Sequence, residues 1–589
     1  MAPKRKSTSQ PKAEPPAKKA ARSSPSSPPS RNQNGGQSAN EQFANGIKDP
    51  SSPSFSHSRI EEELGIVQTK FYGHEMSTER CAMYNNNEIP RPIEVLSKTI
   101  DDTAAARNKI GPGDAVVHYF KRDLRTHDNR ALHLAGEMAK KHGIPLVALF
   151  VVSPQDYQAH MTSPPRVDFE LRTLEVLKQD LGEKDIPLHV ERVDIRKKIP
   201  GRIVELCEQW GAKHVFCNIE YEVDELRREA KLTEMCLGKG INFTAVHDDV
   251  IVPPGALHTQ AGKQFAHQAE IRHRREKFRD IFGRDIPSAP ENKALTEEER
   301  NRFAHLWPAG EHEAVERLSK FLNQRIGAYK DTRNFPAANS TAVLSVHLSS
   351  GTLAARTAVR SARDVNSTKK LDGGTMESKA GSARSHGGTF TSMCWRIGPT
   401  SADPLASMHK PWKYEYTNIE WEYNQEHFEA WCKGQTGFPI VDAAMRQLNH
   451  MGYMHNRCRM IVASFLAKDL LLDWRMGERY FMEHLIDGDF ASNNGGWGFS
   501  ASTGVDPQPY FRIFNPLLQS EKFDEQGEYI RKWIPELRDV KGKAIHDPYG
   551  RGEGKLAEKT GYPKPIVDHK ACKERALKRY KEGLGRETA

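Results

Sequence analysis

The part of the chain that decides the fold lies between Thr436 and Asp524. It contains TGFPIVDAAMRQLNHMGYMHNRCRM (436–460), LLLDWRMGERYFMEHLIDGDFASNNGGWGFSAST (470–503) and PYFRIFNPLLQSEKFD (509–524). These segments place Trp, Asn, Arg and paired Asp side chains inside helical apolar patterns, where an ordinary core carries Leu and Val. Buried polar groups need hydrogen-bond partners. The stretch therefore predicts helices that surround a flat, polar, buried cofactor.

The helical pattern continues on the N-terminal side of that stretch. Apolar residues recur at helical spacing in HEAVERLSKFLNQRIGAY (312–329), and strand alternation is nearly absent from there onward. We assign residues 311–589 to a large helical domain and residues 255–310 to an interdomain connector.

Residues 114–254 have a different pattern. Apolar runs such as AVVHYF (115–120), PLVALFVV (145–152) and KHVFCNI (213–219) alternate with helical segments such as DFELRTLEVLKQDLGEK (168–184). This alternation is typical of βαβ units in a parallel sheet covered on both faces. We therefore expect an α/β plus all-α protein, with an N-terminal Rossmann-like α/β domain. The domain has no GxGxxG turn, which argues against a classical NAD site.

Composition narrows the class of protein. The hydrophobic share of 37% and the charged share of 28% are ordinary for a soluble globular chain. No apolar run approaches the roughly 20 residues of a membrane helix, so no membrane partner is expected. The eight cysteines never form a CxxC pair. This argues against a zinc site or a disulfide framework, and we assign no metal ligands.

The N-terminal segment 1–58 is rich in Ser, Pro and Lys, and we interpret it as a disordered tail. Residues 1–22 hold seven basic side chains against Glu14 alone, grouped as PKRK and AKKAAR. The two clusters resemble a bipartite nuclear import signal, which predicts a nuclear location. A solvated charge run and an additional mitochondrial location remain alternatives. We interpret residues 59–113 as an extension or linker, with a helical collar on the α/β half as one possible structure.

Three long strings resemble the photolyase/cryptochrome family. They are FKRDLRTHDNRAL (120–132), YKDTRNFPAANSTAVLSVHLSSG (329–351) and the segments of 436–524 quoted above. The resemblance runs from about residue 116 to residue 565 and is strongest to class I, folate-type photolyases of fungal type. It implies an FAD buried in the helical domain, folded so that its adenine lies close to its isoalloxazine ring.

Carried over by motif, the flavin-binding positions of the family include hydroxyl, amide and carboxylate side chains. They fall on Tyr329, Thr341, Ala342, Val343, Leu344, Ser345, Asn456, Arg459, Asp487, Gly488, Asp489 and Asn493. Small hydroxyl residues at a helix start suit a pyrophosphate, although helix capping alone would also explain Thr341 or Ser345. Asn493 matches the position that faces flavin N5, where an amide favours repair over signalling.

Three tryptophans, Trp421, Trp474 and Trp497, match the chain of the family that carries electrons from the surface to the flavin. A lone tryptophan is usually core filling. Their coincidence with the family motifs favours the electron-transfer role.

The resemblance also implies a pocket for a pyrimidine dimer that is flipped out of the duplex. It places Asn456 and Met460 beside the lesion, and Phe499 at a stacking position where the family carries Trp. Arg333 and Arg457 match contacts to the DNA backbone. Surface ion pairs are the alternative role for these two arginines.

In the α/β half, His160, Asp224 and Glu225 match residues that hold a 5,10-methenyltetrahydrofolate antenna. Asp224 stands where the best-matching folate binders have Asn. A solvated acidic loop is the alternative interpretation of these residues.

Two segments depart from the family. After GKQF (262–265) a family segment is missing, as a splicing or gene-model error would produce. Between 375 and 402, the family helix that carries flavin and lesion contacts is replaced by unrelated sequence. Suitable codons for these residues, read one nucleotide back, give DNGIQSWISEVAWRDFHKHVLANWPYVC, which is the family helix. We therefore hypothesise a frameshift at 375–402.

The function implied is light-dependent repair of cyclobutane pyrimidine dimers by a deoxyribodipyrimidine photo-lyase. Its partner is double-stranded DNA that contains the dimers, and we expect a monomer. The alternatives are a cryptochrome-like blue-light photoreceptor, or an inactive product of a gene model with the frameshift.

Overall fold

The computed structural model describes residues 88–248, 278–365, 418–503 and 511–586, together with the single residues 71, 83, 86 and 416. All of them belong to a compact unit that spans Ile60–Ala589. The predictions for the tail 1–58, for the departure after residue 265 and for the hypothetical frameshift at 375–402 lie outside the described residues. Within the described ranges, no helix is long and apolar enough to cross a membrane.

The α/β half contains a parallel sheet of five strands in the order β3-β2-β1-β4-β5. The strands are β1 Ala115–Tyr119, β2 Leu146–Val152, β3 Leu188–Arg192, β4 Ala212–Asn218 and β5 Asn242–Val246. In the register, Val117 of β1 lies opposite Val147 on one side and Val215 on the other. The strand order reverses between β1 and β4. In doubly wound sheets such a switch point opens a crevice at the carboxyl ends of the strands.

Helices cover both faces of this sheet, as predicted. They are α1 Pro92–Arg107, α2 Arg130–His142, α3 Pro154–Ala159, α4 Pro164–Gly182, α5 Ile199–Trp210 and α6 Val223–Gly238. Side chains of α5 and α6 share one apolar cluster with the sheet, and those of α2 and α4 share the cluster on the opposite face. The first helix, α1, packs against α6 outside these two layers.

The remaining described chain is helical. Its helices are α7 Arg279–Phe282, α8 Glu297–Leu306, α9 Glu311–Gln324, α10 Tyr329–Thr332, α11 Ser345–Ser350, α12 Ala355–Val365, α13 Gln425–Lys433, α14 Pro439–Met451, α15 Asn456–Ser464, α16 Trp474–His484, α17 Phe490–Ser500, α18 Pro516–Phe523, α19 Glu528–Trp533, α20 Gly554–Thr560 and α21 His569–Gly583. A short π-helix, Phe465–Asp469, extends α15. One core cluster joins residues from Tyr416 to Tyr580, so the fold-deciding stretch forms the centre of this half.

Buried polar contacts join the two halves. Arg125 donates to the carbonyl of Gly351 at 2.9 Å, and the backbone amide of Thr126 donates to Glu311 at 2.7 Å. Gly351 has a φ of 73°, and a Cβ there would overlap the carbonyl of Arg122. Only glycine allows both this backbone conformation and this approach. The seam is therefore fixed where β1 ends against α11.

Candidate active site

A loop between α16 and α17 gathers several of the predicted flavin residues. Asp489 caps α17 by accepting a hydrogen bond from the Ser492 amide at 2.8 Å, which satisfies a free donor of the first turn. Two residues earlier, the buried carboxylate of Asp487 accepts from Arg459 of α15 at 2.8 and 3.0 Å. Gly488 lies between them and is buried.

The segment 341–345 reaches the same place through Tyr453. Thr341 and Tyr453 share a side-chain hydrogen bond, and the guanidinium of Arg459 lies 5.5 Å from the Tyr453 ring centre. Val343 has a φ of 50°, a strained conformation for a β-branched residue, and such strain clusters at ligand sites. This chain of contacts connects Thr341 to Asp487.

The remaining members of the predicted flavin set lie around these contacts. Ala342, Leu344 and Tyr329 are buried in one apolar cluster, and Ser345 begins α11. On α17, the side-chain amide of Asn493 donates to the backbone carbonyl of Glu478 at 2.8 Å, which orients the amide. The neighbouring Asn494 donates to the Glu478 carboxylate at 2.7 Å. The linked segments offer a flavin adenine dinucleotide a strained backbone at Val343, a helix start at Asp489 and an oriented amide at Asn493, which are groups that fit its phosphates and ring.

The three predicted electron carriers all lie in the central core cluster. Trp474 and Trp497 are almost fully buried, and Trp421 is 8% exposed. Within the described residues, the indole Nε1 of Trp497 has no hydrogen-bond partner. A Cβ at Gly477 would overlap the Trp497 ring, so glycine is required for α16 to approach α17.

The structure adds aromatic rings that sequence reasoning missed. Trp431 is fully buried with its ring centre 6.1 Å from that of Trp497, and Tyr580 lies 5.9 Å from Trp421. Neither residue belongs to the motifs that carried the resemblance. Only their long-range packing against Trp497 and Trp421 relates them to the site.

The predicted DNA-facing residues form a second group, on the outer side of α15. Arg457 donates to the Asn334 side chain at 3.0 Å, and its guanidinium lies 4.4 Å from the ring centre of Phe523. Arg333 is exposed next to Asn334. Phe335 is 38% exposed, with its ring centre 6.3 Å from that of Phe523. The group combines cations with aromatic faces.

The lesion residues lie at the start and along the side of the same helix. Asn456 is the first residue of α15 and is exposed, whereas Met460 is half-buried. His455, which sequence reasoning missed, caps α15 by accepting from the Arg457 amide at 3.2 Å. Burial, followed by the charges of Arg459 and Arg457, lowers the pKa of His455 to about 4. The cap is therefore a neutral imidazole. Phe499 of α17 is half-buried, and the Arg512 guanidinium lies 5.4 Å from its ring centre.

The third group lies at the carboxyl edge of the sheet, near the switch point. His160 directly follows α3, and its Nε2 lies 3.5 Å from Glu225 and 3.8 Å from both Glu222 and Asp224. The structure therefore brings the three predicted antenna residues together. Burial acts to lower the pKa of His160, but the surrounding carboxylates outweigh it and the pKa lies above its ordinary value.

Arginines balance the carboxylates of this group. Arg196 donates to Asp156 at 2.9 Å and pairs with Asp224, and Arg228 donates to Asp156 at 2.9 and 3.0 Å. Glu225 is 5% exposed, and within the described residues its Oε2 has no hydrogen-bond partner. Burial raises the pKa of Glu225 to about 7. An unpaired carboxyl oxygen in this position suits a ligand that donates hydrogen bonds.

Asp156, His160 and Glu225 also lie close enough together to offer three ligand atoms to one ion. The oxygens of Asp156 are already bound by Arg196 and Arg228, whose charges oppose a cation. We assign no metal to this group.

Comparison with known proteins identifies both halves. Residues 116–291 match the family model described as DNA photolyase, and residues 398–582 match the FAD binding domain of DNA photolyase. A deoxyribodipyrimidine photo-lyase of Neurospora crassa is 54% identical, over 89% of this chain and 91% of that protein. The enzyme of the same name from Escherichia coli is 39% identical, over 78% of this chain and 97% of its own length.

A solved structure shares the architecture. The crystal structure of a bacterial class III photolyase from Agrobacterium tumefaciens matches with a TM-score of 0.65 and 30% identity. The match covers 81% of this chain and 98% of that one.

Proposed function

Because the chain belongs to the DNA photolyase family, we propose that it is a deoxyribodipyrimidine photo-lyase that uses light to split cyclobutane pyrimidine dimers in DNA. One observation carries the proposal. Helix α15 supplies Arg459, which binds Asp487, and also presents Asn456 and Met460, while α17 carries both Asn493 and the buried Trp497. A bound FAD held by these two helices would therefore have the electron donor on one helix and the lesion residues on the other.

The FAD, when bound and fully reduced, supplies a photoexcited electron that opens the cyclobutane ring and then returns. The chain holds the cofactor with Asp487, Arg459 and Asp489, and with the segment 341–345. The oriented amide of Asn493 offers a neutral polar contact toward the flavin ring. A neutral amide keeps a hydrogen bond to a protonated or fully reduced ring, which favours repair over signalling.

The tryptophans keep the flavin site supplied with electrons. An electron lost from Trp497 is replaced from Trp474 and then from Trp421, the most exposed of the three. The apolar core around these indoles excludes water. We assign this route from the family motifs and the shared core.

The exposed face of α15 holds the substrate. Arg333 and Arg457 contact backbone phosphates and fix the duplex in register, which is how phosphate contacts act in DNA recognition. Asn456 and Met460 then contact the flipped dimer, and Phe499 stacks on it. The partner is double-stranded DNA that contains pyrimidine dimers.

The cluster around His160 holds the second chromophore in our proposal, a 5,10-methenyltetrahydrofolate antenna. The unpaired Glu225 carboxyl oxygen accepts from the pterin ring, and His160 and Asp224 lie beside it. We further propose that the protein is a monomer. The two basic clusters of the N-terminal tail direct it to the nucleus, and mitochondria are the second location in this proposal.

The deciding experiment measures dimer repair. Protein with chemically reduced FAD is mixed with ultraviolet-irradiated oligothymidine, and absorbance of the thymine bases is followed under blue light. Recovery of this absorbance supports the lyase. A flavin that changes redox state in light while the dimers persist would instead indicate a photoreceptor.

A second version of the protein completes the experiment. The chain as printed is compared with one in which residues 375–402 are restored to the displaced frame. Repair by the restored chain alone would support the frameshift hypothesis. Equal repair by both chains would contradict it, as would a transcript whose printed frame is intact.

A further inference from the structure

Helix α1 belongs to the N-terminal extension and presents an apolar stripe to the α/β half. Ile93, Leu96 and Ile100 lie on one side of it, and Leu96 is completely buried. The stripe packs on Leu226 and Ala230 of α6. Helix α1 of the extension is therefore part of the folded α/β half.

The contact lies directly behind the candidate antenna site. Leu226 follows Asp224 and Glu225 in the first turn of α6, and Leu226 is 1% exposed. Because neighbouring positions of a helix point in different directions, one turn can present Leu226 to α1 and Glu225 to His160. The position of the two acidic side chains therefore depends on the seating of Leu226.

The far end of α1 is anchored to the edge of the sheet. Arg107 is 7% exposed and donates to the Asn242 side chain at 3.0 Å and to the Phe243 carbonyl at 3.1 Å, both on β5. A guanidinium with several fixed donors holds a defined geometry. This anchor fixes α1 relative to the strand beside α6.

The extension reaches the site at a second point. The guanidinium of Arg196 lies 6.0 Å from the ring centre of Phe71. Arg196 also binds Asp156 and Asp224 of the antenna cluster. A cation between an aromatic face and two carboxylates is held from both sides.

We propose that the N-terminal extension positions the antenna site, with Leu96 seating the first turn of α6 and Phe71 holding Arg196 against Asp224. Both are positioning residues, because they act on the cluster around His160 through Leu226 and Arg196. Occupancy of the antenna site therefore depends on the extension, whereas the flavin site does not. This inference rests on the proposed folate antenna.

The test uses the full-length protein reconstituted with methenyltetrahydrofolate. The variant Leu96→Ala is compared with Leu181→Ala, an equally buried leucine of α4 on the opposite face of the sheet. Folate affinity is measured from near-ultraviolet absorption, and energy transfer from the quenching of folate fluorescence by bound FAD. Flavin content and repair under light absorbed by the flavin itself report on the rest of the fold.

We expect Leu96→Ala to weaken folate binding about tenfold relative to Leu181→Ala, as is usual for coupling between neighbouring sites. Flavin-driven repair should stay equal in the two variants. Equal folate affinity in both would overturn the positioning role. If Leu96→Ala loses flavin as well, the test passes to Phe71→Ala, which replaces a partly buried side chain. Energy transfer at the wild-type level in Phe71→Ala would then overturn the positioning role of the extension. A wild-type protein that repairs dimers but takes up no folate would defeat the antenna proposal itself, and the inference with it.

Discussion

The two candidate cofactor sites are stabilised by different kinds of interaction. The flavin cradle combines the ion pair of Asp487 and Arg459 with hydrogen bonds to backbone groups and a dense aromatic core. The antenna site instead concentrates four carboxylates, two arginines and His160 in one cluster, joined by contacts of 4.0 Å or less. Electrostatics of this density respond to pH, whereas packing does not. The two sites should therefore fail under different conditions.

The largest effect is expected when the ion pair of the flavin cradle is removed. Asp487→Ala leaves the Arg459 guanidinium without its carboxylate, and breaking a buried pair in this way costs about 3 kcal/mol. We expect the purified variant to retain little flavin, as measured from its visible absorption. Glu483→Ala, which breaks the half-exposed pair of Glu483 with Arg479, is the control and should keep its flavin. A yellow Asp487→Ala protein would contradict the cradle.

The next prediction concerns the pH response of the antenna site. The folded-state pKa of Glu225 is raised to about 7 from an ordinary 4.5, so the stability that the protonated carboxyl provides is complete below pH 4.5 and is lost as pH rises through about 7. Glu225→Gln removes this loss. The variant should gain on the order of 2 kcal/mol over the wild type between pH 5 and pH 8 in urea unfolding. Parallel pH profiles for the two proteins would refute this.

A smaller effect is expected where α16 meets Trp497. In Gly477→Ala the new methyl group overlaps the indole ring, and overpacking outweighs the better helix propensity of Ala, for a net loss of about 1 kcal/mol. In the matched variant Gly495→Ala, on α17, the methyl group meets no atom within 4 Å. The thermal midpoints should move in opposite directions. Equal shifts would show that the contact carries no strain.

The smallest effect is expected for a substitution on the DNA-facing surface, with a substitution in the α/β half as its control. Arg333→Ala should weaken binding of damaged DNA by about threefold and reduce the slope of log affinity against log salt by about 0.9, the value for one phosphate contact. Arg192→Ala removes an exposed arginine of β3 and should change neither quantity. Equal salt slopes for the two variants would argue against a phosphate contact at Arg333. Fluorescence anisotropy with an irradiated duplex measures both.

The architecture could be predicted because it depends on local patterns. The runs around Val117, Val147 and Val215 are continuous and short, as buried parallel strands require, and they pair as expected. The family assignment came from three long strings, of which those at 120–132 and 436–524 lie within the matched family models. Nothing local to α1 revealed its partner.

The details of the sites were less predictable. His455 looks like any histidine until its ring is seen to cap α15, and Arg196 lies far in sequence from the Asp224 that it binds. The indole of Trp431 gives no signal beyond its own size. Each of these roles depends on a contact across the fold, which periodicity and motif spacing do not encode.

The close packing at Gly351 bears on energy transfer between the α/β half and the helical half. Gly351 lets the backbone just after β1 pack directly on the end of α11, and this close contact joins the two halves. Excitation passes between two chromophores with an efficiency that falls steeply with their separation and depends on their mutual angle. A junction packed this closely would keep the separation and the angle of the two chromophores constant. The efficiency of energy transfer from the proposed antenna to the flavin would then be the same at every turnover.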